Sequence, residues 1–78
     1  MEFAEQIRMI RQRMFLSQDE FAKVLHVSLS TVNRWEMGRS KPNLTAMKQI
    51  KKFCGENGLE YDCLESSWLS LNKADLSR

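Results

Sequence analysis

Histidine is nearly missing from this 78-residue chain, which carries His26 alone beside two cysteines, one proline and three glycines. Each shortage excludes something. Cys54 and Cys63 are separated by eight residues with no CxxC pair, so one chain cannot assemble a zinc site from them. We expect no metal and no cofactor. Both cysteines read as free thiols of a reducing compartment, with a Cys54–Cys63 bridge as the minor reading. So few glycines and a lone proline leave no room for a hairpin-rich fold. There is no glycine-rich phosphate loop, and no two acids fall at a spacing that turns them into a common pocket. An enzyme is therefore the weakest reading, and no catalytic residue is assigned. No apolar run is long enough to span a bilayer, and no signal-peptide core opens the chain. The expected protein is soluble and cytoplasmic, with no membrane partner.

What is present is a polarised charge distribution and helical periodicity. The net charge is only +2. Residues 1–53, however, hold ten Lys/Arg against five Asp/Glu, whereas residues 54–78 hold two against five. A basic body followed by an acidic stretch fits a polyanion held by the first two thirds of the chain.

The apolar positions recur at helical spacing throughout. Phe3, Ile7, Ile10 and Met14 share one face of a first helix over about residues 2–14. Ser17 followed by Glu20 is a capping-box signature, and it opens a second helix whose inner face is Phe21, Ala22 and Leu25. Ser28 opens a third, with Val32 and Trp35 inward and Gly38 as the left-handed residue that ends it. Pro42 blocks continuation and Asn43 caps a fourth helix, with Leu44, Met47, Ile50 and Cys54 inward and Lys48, Lys51 and Lys52 toward water. Gly55 and Gly58 bracket its end. Asp62 with Glu65 reads as a second capping box, starting a fifth helix with a Tyr61, Leu64, Trp68, Leu71 stripe. The expectation is one all-α domain over residues 1–71, with 1–54 as its body, 59–71 as a fifth helix and 72–78 frayed.

The third helix decides the functional reading. With Val32 and Trp35 inward, Leu29, Ser30, Asn33 and Arg34 turn outward. A short helix presenting small polar groups and one long cation, entered by a tight turn from another short helix, is a helix-turn-helix with an exposed recognition helix. Its side chains face a partner rather than a pocket.

The stretch "IRMIRQRMFLSQDEFAKVLHVSLSTVNRWEMGRSKPNLTAMKQI" resembles the lambda-repressor-like, Xre-type helix-turn-helix domains of bacterial and phage regulators. The spaced matches run in the right order over residues 3 to about 54, some two thirds of the chain. The resemblance implies a compact five-helix domain that binds double-stranded DNA with residues 28–36 in the major groove. Leu29, Ser30, Asn33 and Arg34 would lie at base edges. Gln18, Ser28, Thr31, Met37, Arg39 and Lys41 would meet phosphates. Ser17 and Ser28 also serve as plain helix caps. Arg11 and Glu36 stand where the family carries a partly buried ion pair. Two positions depart from the pattern. His26 replaces the usual glycine and is read as a strained left-handed turn residue. Met37 replaces a common asparagine, which leaves only its backbone N–H for a phosphate.

Within this class the residues leave repressor, restriction–modification controller and autoregulating antitoxin open. The rival reading is a protein-interaction adaptor or antitoxin whose scaffold serves a toxin partner. With no effector domain in the sequence, no small-molecule ligand is expected. One helix-turn-helix reads few base pairs, so a homodimer through residues 59–71 is expected, with Trp68 and Leu69 suggesting apolar surface to spare; the alternative is that Tyr61, Leu64, Trp68 and Leu71 fold back onto the first and fourth helices.

Overall fold

A computed structural model describes the backbone of residues 3–76 and the side chains of residues 3–71. Five helices follow one another: α1 (Phe3–Arg13), α2 (Gln18–Leu25), α3 (Leu29–Glu36), α4 (Leu44–Glu56) and α5 (Asp62–Leu76), with no strand among the described residues. The fold is all-α. No helix of the described residues is long and apolar enough to cross a membrane.

Start signals read from the residues operate locally. Ser17 accepts from the Glu20 N–H at 3.1 Å, and the Glu20 carboxylate accepts from the Ser17 N–H at 2.8 Å, so two orphan donors of α2 are satisfied reciprocally. Those bonds hold the Glu20 carboxyl below the usual carboxylate range. Ser28 caps α3 through the Thr31 N–H, and Asn43 caps α4 through the Ala46 N–H. The fifth helix departs from expectation. Asp62 is its first helical residue, not its cap, and the Glu65 N–H donates to the Tyr61 carbonyl at 2.9 Å. Asp62 and Glu65 instead place negative charge on the positive end of α5. The helical backbone runs to Leu76. Residues 77–78 lie outside the described ones.

Four helices end in one motif. After α1 the Phe15 N–H donates to Gln12 and the Leu16 N–H to Arg11; after α2, His26 donates to Lys23 and Val27 to Ala22. Gly38 and Arg39 repeat the pattern on α3, and the Leu59 N–H reaches the Cys54 carbonyl beyond α4. Each pattern needs one left-handed residue, and these are Phe15 (φ 56°), His26 (φ 61°), Gly38 (φ 72°) and Gly58 (φ 65°).

The core joins all five helices. Phe3, Ile7 and Ile10 meet Phe21, Ala22, Leu25, Val32, Trp35, Met47, Ile50, Cys54 and Leu64. Phe21 and Phe53 pack edge to face, with ring centroids 5.5 Å apart. On α4 the inward set differs from the spacing-based one. Leu44 is 62% exposed, while Ala46 and Phe53 are buried. Leu44 is the first residue of α4, directly after the Asn43 cap. Cys54 is buried and Cys63 exposed, both as free thiols, and burial pushes the Cys54 thiol up to about 11.

On α5 the stripe splits. Leu64 is in the core, Tyr61 and Trp68 pack against it, and Leu71 is exposed. The Trp68 indole N–H donates to the Pro42 carbonyl at 2.7 Å and the Tyr61 hydroxyl to the Met47 carbonyl at 3.4 Å. Trp68 therefore docks α5 on its own chain.

Candidate nucleic-acid interface

The tight turn between α2 and α3 fixes the site. Ser28 Oγ lies 2.8 Å from Thr31 Oγ1 and caps the first turn, so α3 starts at Leu29 with its polar side outward. Leu29, Ser30, Asn33 and Arg34 are exposed, while Val32 and Trp35 are buried on the opposite side. Six of the expected contact residues, Gln18, Leu29, Ser30, Asn33, Arg34 and Arg39, line one open concavity. Within the described residues the Arg34 guanidinium has no ion-pair or hydrogen-bond partner. It is available to a ligand.

A second cleft runs between α3 and the start of α4. Ser28, Thr31, Arg34 and Lys41 line it, together with Thr45 and Gln49. Thr45 and Gln49 escape a sequence reading. Their only signal is that they follow the Asn43 cap on the same helix.

Behind the concavity lies a buried polar cluster. Arg11 Nε and Nη2 donate to Glu36 Oε2 and Oε1 at 2.7 and 2.9 Å, a bidentate pair with the Glu36 side chain only 1% exposed. Arg11 Nη1 also donates to the Leu16 carbonyl, and the bond to Glu36 pushes the guanidinium pKa further up. Arg8 donates to the Glu36 carbonyl at 2.9 Å, a role the sequence reading missed; its signal is the i, i+3 spacing to Arg11 on α1. Gln18 Nε2 donates to Glu36 Oε1 at 3.2 Å, and Asn33 Nδ2 donates to Gln18 Oε1 at 3.3 Å.

Met37 does not join this site. Its backbone N–H donates to the Asn33 carbonyl at 3.0 Å as the end of α3, and its side chain has no donor. The backbone N–H expected to meet a phosphate is thus the one that closes the end of α3.

The helix-turn-helix profile matches residues 7–61, most of the chain and all of this geometry. The chain belongs to the helix-turn-helix family. Its class is the Xre or lambda-repressor-like one. Over 53 residues it is 38% identical to the HTH-type transcriptional activator BcrR of Enterococcus faecalis, covering 68% of this chain and 26% of that protein. Over 47 residues it is 40% identical to Antitoxin HigA-2 of Vibrio cholerae serotype O1, covering 60% of this chain and 45% of that protein. The matched stretches thus span about a quarter and under half of these relatives. No solved structure matches the chain significantly.

Proposed function

We propose that this helix-turn-helix chain is a sequence-specific double-stranded DNA-binding regulator of transcription, acting in the cytoplasm as a homodimer. The observation that carries this reading is the concavity formed by Gln18, Leu29, Ser30, Asn33, Arg34 and Arg39, held open over the buried Arg11–Glu36 pair. Arg34 forks onto guanine O6 and N7, Ser30 donates or accepts at a base edge, and Leu29 touches a thymine methyl. Gln18, at the positive end of α2, meets a phosphate, while Ser28, Thr31, Arg39 and Lys41 steady the flanking backbone. The identity to a transcriptional activator supports this reading.

The second reading, an antitoxin whose scaffold also engages a toxin, is favoured by the 40% identity to an antitoxin. It does not compete with the interface, since the same face can bind DNA in both cases.

The test is binding of the purified chain to a randomised duplex library at several salt concentrations. The wild type is expected to select a short inverted repeat. Arg34→Lys keeps the charge but loses the fork, so discrimination at one base pair of each half-site relaxes by ~1–3 kcal/mol with the salt slope almost unchanged. Arg39→Ala weakens all sequences alike and lowers the slope by about one. Retention of the wild-type preference by Arg34→Lys rules out Arg34 as the base reader.

A further inference from the structure

A carboxylate accepts hydrogen bonds and donates none. That simple fact propagates outward from Glu36. Its Oε1 is met by Arg11 Nη2 at 2.9 Å and by Gln18 Nε2 at 3.2 Å. The Gln18 nitrogen is thereby committed inward, and its oxygen is left facing α3. There it accepts from Asn33 Nδ2 at 3.3 Å. Neither amide can turn over alone. A reversed Gln18 would set its oxygen against a buried carboxylate, and a reversed Asn33 would set two amide oxygens face to face.

We propose that Glu36 is a positioning residue for base readout: through Gln18 it fixes the exposed Asn33 amide with its oxygen and remaining N–H toward the groove, making Asn33 a reader of adenine. This rests on the DNA-binding reading above and adds to it the chemistry of one base. In the major groove adenine presents an N6 donor beside the N7 acceptor, which matches an amide offering one acceptor and one donor. Guanine presents N7 and O6, both acceptors, and thymine presents the O4 acceptor and a methyl group. Either can accept the remaining Asn33 N–H but leaves the Asn33 oxygen without a donor, and the chain of bonds from Glu36 opposes turning the amide over to offer two donors.

The decisive variant is Gln18→Met, which breaks the chain of bonds at its middle without touching the Arg11–Glu36 pair. Gln18 is only partly buried at the start of α2, and methionine matches its length. In duplex selection the wild type is expected to favour adenine at one position of each half-site. In Gln18→Met the adenine-over-guanine ratio there falls by about threefold to tenfold, the worth of one neutral hydrogen bond, while other positions keep their preference. A uniform loss of affinity from a missing phosphate contact leaves that ratio alone. An unchanged ratio overturns the proposal.

A second measurement needs no DNA. In the free protein the Asn33 side-chain amide proton bonded to Gln18 resonates away from the exposed-asparagine position and moves to it in Gln18→Met. An unmoved resonance overturns the chain of bonds. A wild type that selects no sequence, yet shows the resonance shift, defeats the adenine assignment together with the DNA reading while the bonding itself stands.

Discussion

Three side chains from two helices converge on Glu36: Arg8 and Arg11 from α1, and Gln18 from the start of α2. A buried carboxylate survives there because every donor it faces is aimed at it, and removing it strands Arg11, whose side chain is only 14% exposed. Glu36→Ala is expected to destabilise the fold by about 3 kcal/mol, lowering the melting temperature in a circular-dichroism scan by roughly 10–20 °C. A variant that melts like the wild type would mean the pair is worth nothing. Spacing alone could not find this cluster. Arg11 and Glu36 lie 25 residues apart, with no local period to connect them, and only the family resemblance picks them out. Arg8 and the Gln18–Asn33 bond were invisible even so, because they depend on how α1 and α2 settle against the end of α3. The outward set of α3 was legible from Val32 and Trp35, since a helix that buries two positions three apart has to expose the others.

At the level of the helices, starts were easier to read than ends. Ser17, Ser28 and Asn43 declare their caps because a short polar side chain before an apolar run has one obvious use. Gly38 and Gly58 declare two ends for the matching reason, since glycine carries no penalty at positive φ. His26 was visible only as a departure from a family pattern. Phe15 was not visible at all, an aromatic being among the last residues expected at positive φ, yet it takes φ 56° while remaining 93% exposed. The same two backbone bonds close the ends of α1 and α2, so the pattern overrides the residue's own preference. Phe15→Gly and His26→Gly should therefore each relieve left-handed strain, less the extra freedom glycine gives the unfolded chain. The expected net gain is about 0.5–1 kcal/mol, read as a melting temperature several degrees higher. A lower melting temperature in Phe15→Gly would show that the exposed ring makes a stabilising contact instead.

For the whole molecule, the question is what α5 does beyond covering the core. Leu64 and Trp68 answer half of it, the first buried and the second bonded to the Pro42 carbonyl. Trp68 is thus removed from the apolar surface that its size suggested, because a tryptophan finds a partner for its N–H when it packs inward. Leu69 and Leu71 remain, 54% and 41% exposed on the same helix, and only Leu69 lies off the stripe of Leu64, Trp68 and Leu71. A recognition helix that reaches a few base pairs gains useful affinity when two copies bind half-sites ~34 Å apart, so a two-fold pairing through the face that carries Leu69 suits the proposed function. Leu69→Glu separates the two roles of α5, since Leu69 lies outside the buried core and a charge there should not disturb Trp68. The expected result is a monomer in sedimentation equilibrium with a melting temperature little changed at high protein concentration. Its affinity for the selected inverted repeat should fall about 10²-fold or more, as the second half-site no longer binds within the same complex. If the wild type itself sediments as a monomer at every concentration and still occupies both half-sites, α5 serves only the core, and pairing has to be sought on the DNA.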